Sequence, residues 1–387
     1  MSKLPEKLNS RLEKRLQENA FRQLGKPDQL IDFYSNDYLG FSKSETIFNT
    51  AYQILKSQNL TQNGATGSRL LSGNHTLYNE VETMLCEFHN SDAALVFNSG
   101  YTANLGLFSC VPQRGDIILY DELIHASIRD GIAMSKANAF KFKHNDLINL
   151  ECHLERSREV SMTESHIYIV TESVFSMDGD ALGLTALSEL SKKYKANLII
   201  DEAHAVGVLG RNGEGKIQAL QLENDVFARI ITFGKALGAH GAAILCNQNL
   251  KDYLINFSRP FIYTTALPPH SLATIKASYE VLAIQSKSED SNTKRLQNTI
   301  KFFKAELERL KLQQLFIKSD SAIHCCVISG NNNAKHIAQE LQNHGFDVKA
   351  ILSPTVPKEK ERLRICLHSY NSSEEITKVL ELLATFV

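Results

Sequence analysis

The sequence predicts an α/β fold: a large domain on a mostly parallel sheet, followed by a smaller C-terminal α+β domain. Three observations predict it. Between residues 90 and 250, short runs that are apolar on both faces alternate with helix-like segments, the pattern of parallel strands covered by helices. Each run is followed at once by polar residues, as in open parallel sheets that bind ligands at the carboxyl ends of their strands. The polar stretch SKSEDSNTKR, 286–295, then breaks the pattern before a last, shorter section.

Leu8, Leu12, Leu16 and Ala20 recur every fourth residue among charges, so an amphipathic N-terminal helix is expected to dock its apolar stripe on the rest of the chain. Strands are expected at AALVF (93–97), DIILY (116–120), HIYIV (166–170), NLIID (197–201), RIITF (229–233) and GAAILC (241–246). Beyond the polar break, Ile300, Phe303, Leu307 and Leu310 mark one helical face, and Ile376, Val379, Leu380 and Leu383 mark another. The domains are therefore expected at 1–45 (helix and arm), 46–285 (large α/β domain) and 286–387 (small α+β domain).

Composition narrows the class. A chain of 387 residues, 43% hydrophobic and 22% charged, with only 8 Pro, folds as an ordinary globule. Its 42 basic and 43 acidic residues leave a net charge of -1. No global field draws it to nucleic acid or an anionic membrane. The seven cysteines form no CxxC pair, so neither a disulfide framework nor a metal site is expected. The N-terminus lacks the apolar core of a secretory signal, and a cytoplasmic protein is expected.

The polar residues just past each apolar run carry the chemistry. In turn come Asn98 to Tyr101, Asp121 and His125, Glu172 and Ser176, Asp201 and His204, then Thr232 and Lys235. Lys235, in the Gly-rich turn of ITFGKALGAHG, has a small surround in which its amine can be partly desolvated and act as the neutral nucleophile of a Schiff base. A solvated loop lysine would look the same. Asp201 ends the apolar run NLII, where a carboxylate needs a cation; a protonated pyridine nitrogen is one, and a structural ion pair or helix cap is the alternative. The small residues NSGYTAN, 98–104, ahead of a helix leave its first N–H groups for a phosphate, with Thr232 able to add a hydroxyl. His125 sits where an imidazole could stack on a flat ring or simply pack.

Together these residues lie in strings of one family. SNDYLG (35–40), GATGSRLLSGNH (64–75), FNSGYTAN (97–104), DELIHAS (121–127), TESVFSMDGD (171–180), IIDEAHAVGVLG (199–210), TFGKALGAHGAA (232–243) and IYTTALPP (262–269) resemble the α-oxoamine synthases. These are pyridoxal-phosphate enzymes of the aspartate aminotransferase fold (fold type I). The branch most resembled joins L-alanine to a pimeloyl thioester, carried by CoA or by an acyl-carrier protein; sister branches use glycine or serine with other acyl groups. The resemblance implies that Lys235 carries the cofactor, that Asp201 keeps its ring nitrogen protonated and that His125 stacks on the ring. It also implies that His204 and Ser176 meet the phenolic oxygen and its surroundings, and that the Gly100 and Tyr101 backbone and Thr232 hold the phosphate. Thr265 would reach the phosphate of a neighbouring subunit, implying a homodimer with shared sites. Arg364 would bind the substrate carboxylate, and Arg22, Asn36 and Thr355 match other substrate-side positions. Two positions depart from the family: Tyr78 stands where many relatives have a histidine, and Glu359 where they have a glycine.

One rival comes from another class. Asp201 to His204 spell a helicase-like DEAH, and GRNGEGKI, 210–217, nearly spells a P-loop. The hydroxyl that should bind magnesium is replaced by Ile217, and the loop comes after the acidic motif when it should precede it.

Overall fold

The computed structural model describes residues 4–24, 29–160 and 165–387. The chain forms two compact units: one of Asn36–Ser176 and Asp180–Gln297, the other of the described residues up to Ser35, Met177–Gly179 and Asn298–Val387.

The larger unit is built on seven strands: β1 (Ala93–Phe97), β2 (Ile117–Asp121), β3 (Asn138–Phe142), β4 (Ile167–Glu172), β5 (Asn197–Asp201), β6 (Ala228–Thr232) and β7 (Ala242–Cys246). Their order is β1-β7-β6-β5-β4-β2-β3. Six strands run one way and β7 runs against both of its neighbours. The doubly apolar runs have the predicted cause. Ile118, Tyr168, Val170 and Ile199 enter one core layer, while Ile117, Leu119, Ile169, Leu198 and Ile200 enter the layer on the opposite face. Only β3 lies outside the expected set. It is an edge strand, exposed at every position but Phe142, and that exposure is why it carries no doubly apolar signature; β1, at the other edge, is buried throughout.

A buried network stiffens the middle of this sheet. The guanidinium of Arg229, on β6, meets Glu202 Oε2 at 2.7 Å, both side chains being buried. Arg229 also donates to His89 O at 2.9 Å and Glu214 O at 3.2 Å. Glu202 Oε1 accepts from the backbone of Lys216 at 2.7 Å and Ile217 at 3.0 Å. The two strings behind the helicase-like reading are thus consumed in one structural device. The amides of the P-loop-like segment face protein carboxylates, since Glu214 takes those of Arg211 and Asn212. Gly215, at φ +98°, is required there because a Cβ would lie 2.9 Å from Glu202 Oε1.

The smaller unit holds an antiparallel sheet of β8 (Ile323–Val327), β9 (Lys349–Ile351) and β10 (Arg362–Cys366), in the order β9-β10-β8. The C-terminal helix Ser373–Phe386 buries Ile376, Val379, Leu380 and Leu383 as predicted. Ile300, Phe303 and Leu307 are also buried. Ile31–Asp32 pair in parallel with Phe346–Asp347, so the N-terminal arm belongs to this unit. The first helix, Glu6–Gln17, buries none of its residues. The expectation that its stripe docks on the chain is corrected: Leu8, Leu12 and Leu16 are 45%, 46% and 59% exposed, because only Ala20, beyond the helix, packs inward.

Breaking a buried ion pair from one side leaves an uncompensated charge. Arg229→Met should therefore lower the unfolding free energy by about 3–5 kcal/mol, measured by denaturant titration. Adding Glu202→Gln, which keeps an acceptor for Lys216 and Ile217, should restore part of that loss.

Candidate active site

The parallel strands end on one edge, and the register there is chemically telling. Glu172, the last residue of β4, lies directly opposite Asp201, the last of β5. A cavity of ≈ 250 Å³ opens at this edge, near the lower end of the roughly 300–1,000 Å³ typical of small-ligand sites. It brings together Asn36, Gly100, Tyr101, His125, Asp201, His204, Thr232 and Lys235.

Asp201 is buried. Its Oδ1 accepts from Ala203 N and its Oδ2 from Asn104 Nδ2, both at 2.9 Å. Asn104 Nδ2 also donates to Ser127 Oγ at 3.1 Å, and Ser127 Oγ lies 2.7 Å from His125 Nδ1. The Ser127 backbone donates to the same Nδ1 at 3.2 Å. Nδ1 is therefore the acceptor, and a neutral His125 carries its proton on Nε2. Burial lowers the pKa of His125, helped by the charge of Lys235 and opposed by that of Asp201. The His125 backbone donates to Glu172 Oε1 at 2.6 Å. Burial first, and then the charge of Asp201, push the Glu172 carboxyl up to about 8.

On the other side of the cavity, Lys235 Nζ lies 2.7 Å from His204 Nε2. His204 Nδ1 is 2.8 Å from the Tyr38 hydroxyl, which donates to Asn36 Oδ1 at 3.0 Å. The third wall is the start of the helix Gly100–Cys110. Ser99 caps it by accepting from Thr102 N at 3.2 Å, while the Gly100 and Tyr101 amides belong to the first turn, which has no intrahelical acceptors. Thr232 is pressed against this turn: a Cβ on Gly100 would come within 2.6 Å of its Cγ2. The Tyr101 hydroxyl turns away to donate to Asp130.

These residues fit pyridoxal phosphate. Among the described residues Asp201 forms no ion pair, only bonds from neutral donors, which suits a buried carboxylate awaiting a cationic ring nitrogen. The cradle of Gly100, Tyr101 and Thr232 has the donor chemistry for a phosphate, and Lys235 has the amine for the aldehyde.

Ser176 and Thr265, also in the larger unit, do not line this cavity. Ser176 is half-buried in the turn after β4, and Thr265 is exposed, its backbone carbonyl accepting from Asn98 Nδ2 at 2.6 Å. In the smaller unit Arg22 donates to Thr355 Oγ1 at 3.4 Å, and the buried Arg364, on β10, donates to Cys366 Sγ at 2.9 Å. Glu359 adopts φ +67°, the left-handed region a glycine would enter freely, at a cost to other residues of roughly 1–2 kcal/mol. Tyr78 is buried, and its hydroxyl donates to Leu267 O at 3.3 Å and accepts from Leu267 N at 2.8 Å. Sequence reasoning missed Tyr38, Asn104, Ser127 and His240, the last of which also lines the cavity. His240 ends a glycine-rich turn and Asn104 closes the NSGYTAN string, so both had a signal in their neighbours.

Comparison with known proteins agrees with this geometry. The profile of the aminotransferase class I and II family matches residues 28–383. An 8-amino-7-oxononanoate synthase from Emericella nidulans is 39% identical over 373 residues, spanning 93% of this chain and 90% of that protein. The solved 8-amino-7-oxononanoate synthase of Francisella tularensis is 30% identical, with a TM-score of 0.76 over 93% of this chain and 98% of that one. The serine palmitoyltransferase of S. paucimobilis, solved with a bound PLP–myriocin aldimine, is 26% identical, with a TM-score of 0.86 over 98% and 96% of the two chains. With the profile matched almost from end to end, this chain belongs to the aminotransferase class I and II family, in its α-oxoamine synthase branch of pyridoxal-phosphate enzymes.

Proposed function

We propose that this chain catalyses the decarboxylative condensation of L-alanine with a pimeloyl thioester, giving 8-amino-7-oxononanoate, CO2 and the free thiol, a step of biotin synthesis. The observation that carries the reading is the convergence of Lys235, Asp201 and His125 on one cavity, in a chain 39% identical to an 8-amino-7-oxononanoate synthase.

Bound pyridoxal phosphate supplies an electron sink for the α-carbon of the amino acid. Lys235 would hold the cofactor through its amine, and the same amine, when free, would take the α-proton of the amino acid as general base. His204, 2.7 Å from Nζ, keeps that amine aimed and offers it a hydrogen-bond partner. Asp201 holds the ring nitrogen protonated by opposite charge, its oxygens fixed by Ala203 and Asn104. His125 would stack on the cofactor, its orientation set by the two donors of Ser127. Gly100, Tyr101 and Thr232 would bind the phosphate, and Ser176, on the loop after β4, would contribute to the surroundings of the phenolic oxygen. Arg364 would bind the alanine carboxylate in bidentate fashion, and Arg22, Asn36 and Thr355 would serve the substrate side.

The working form is a homodimer, with Thr265 of each copy reaching the phosphate held by the other. The exposure of Thr265 supports this, as does the aromatic ridge of Phe48 and Tyr52, 74% and 55% exposed, beside an apolar groove of ≈ 680 Å³ in the larger unit. A sister synthase using glycine or serine is the second reading, favoured by the TM-score of 0.86 to serine palmitoyltransferase.

Three measurements test this reading. Lys235→Ala should abolish turnover and the visible absorption of lysine-bound pyridoxal phosphate; a variant with wild-type turnover would remove the assignment. Mass spectrometry after incubation with pimeloyl-CoA and a mixture of L-alanine, glycine and L-serine should find 8-amino-7-oxononanoate, and exclusive consumption of glycine or serine would establish the sister reading. Sedimentation equilibrium of the holoenzyme should give twice the 43.3 kDa chain mass; a single-chain mass would defeat the shared site.

A further inference from the structure

Beside the cavity, still within the larger unit, the carboxyl edge of the sheet carries a second cluster that the reaction above does not use. Asp121, the last residue of β2, is fully buried. Its Oδ1 accepts from Leu123 N at 2.8 Å and its Oδ2 from Asn145 N at 2.9 Å. His144 Nδ1 lies 2.9 Å and 3.1 Å from these two oxygens. The opposite ring nitrogen, Nε2, lies 2.8 Å from Asp180 Oδ2, which Asn145 Nδ2 also meets at 2.9 Å. The Phe175 ring stands edge-on to the imidazole at 4.5 Å between centroids.

A neutral imidazole donates from one nitrogen only. Facing a carboxylate at each end, His144 satisfies both by carrying two protons. Burial alone would lower its pKa, but the hydrogen bonds and charges of Asp121 and Asp180 outweigh burial and hold the ring cationic up to about 9.

The loops joined by this clamp are those of the site. Asp121 opens the 121–125 loop, whose last residue is His125, and its carboxylate fixes the first turn of that loop through Leu123 N. Asp180 closes the 173–180 loop that carries Ser176, and its carbonyl accepts from Phe175 N at 3.0 Å. His144 itself comes from the loop after β3, and its backbone donates to Glu122 Oε1 at 3.2 Å. Three separate loops therefore meet at one imidazole, and two of them bear residues assigned to the cofactor.

We propose that His144 is a positioning residue of this active site: held between Asp121 and Asp180, it locks the His125 loop against the Ser176 loop and so sets the tilt of the His125 ring over the cofactor. The proposal rests on His125 being the stacking residue of the reading above. An ion triad that served stability alone would leave the cofactor's surroundings unchanged when cut, and this separates the two roles.

The experiment compares His144→Gln and Asp180→Asn with the wild-type holoenzyme, below the melting transition and at saturating pyridoxal phosphate. Asp180→Asn keeps an oxygen of similar shape and serves where His144→Gln fails to fold. The visible circular dichroism of the bound cofactor should fall by roughly half or more while its absorbance persists, and kcat should fall roughly ten- to a hundredfold with little change in the KM for the amino acid, as for residues that orient a catalytic group from behind it. Wild-type dichroism and kcat in a folded variant, whatever its melting temperature, would overturn the proposal. Should the wild type bind the cofactor with its dichroic band yet make no product from alanine and a pimeloyl thioester, the reaction assignment falls, while the dichroism of the variants still decides the role of His144.

Discussion

The constraint on which the site depends is a carboxylate placed at the end of a buried strand. Asp201 arrives at the sheet edge with apolar neighbours on both faces of NLII, and the register sets Glu172 beside it. A buried carboxylate beside a second one is disfavoured in its charged form, and Glu172 shows it. Asp201 takes two donors, the Ala203 amide and the Asn104 side chain, and Glu172 is left with the His125 amide and its pKa raised. The dipoles around Asp201 are thus fixed by its own neighbours. A cationic ring nitrogen docked against it would find the surrounding dipoles already oriented, so little reorganisation would remain for the moment of binding.

The same few residues divide labour across the sheet. Asp201 and Glu202 are neighbours in sequence and serve opposite ends: one carboxylate enters the cavity, the other is buried against Arg229. His204, two residues further on, returns to the cavity and meets Lys235. One turn of chain thus anchors the glycine-rich 210–217 segment on the structural side while it delivers an acid and an imidazole on the chemical side. A string that resembles a nucleotide-hydrolysis motif is explained by this double duty: small and acidic residues are needed to let the chain reverse tightly and to satisfy a buried guanidinium.

Much of this was legible in the sequence, and the illegible parts have physical reasons. Six strands of the large sheet announced themselves because parallel strands buried on both faces are written as unbroken apolar runs. The seventh, Asn138–Phe142, is exposed on the edge and reads like a loop. In the site, Lys235, Asp201, His125, His204 and Thr232 were found because each comes at or just past the end of an apolar run. Tyr38 and Asn104 were missed because they come from outside that pattern, Tyr38 meeting His204 from the chain before the first strand of the large sheet and Asn104 meeting Asp201 from within a helix. Ser127 was missed because its role is spent on another side chain. The N-terminal leucine stripe was rightly seen as amphipathic, but periodicity says which face is apolar and not what covers it.

Tyr78 shows how one side chain can fix a segment far from it in sequence. A phenolic oxygen donates and accepts at a single atom, and here that atom closes both bonds with Leu267, one to its amide and one to its carbonyl. A neutral imidazole divides the two capacities between nitrogens on different sides of the ring, so a histidine would hold only one of these groups without a shift of the chain. The Tyr78 ring is further covered by Arg69, whose guanidinium sits 3.9 Å from its centroid and bonds Glu82 at 2.5 Å. Gly67 adds a carbonyl to Ala266 N at 2.9 Å. The segment that exposes Tyr263 and Thr265 is therefore fastened at the residues just after them, by groups of the 64–82 region. What the Tyr78 hydroxyl supplies is a firm hold on the segment that carries Tyr263 and Thr265.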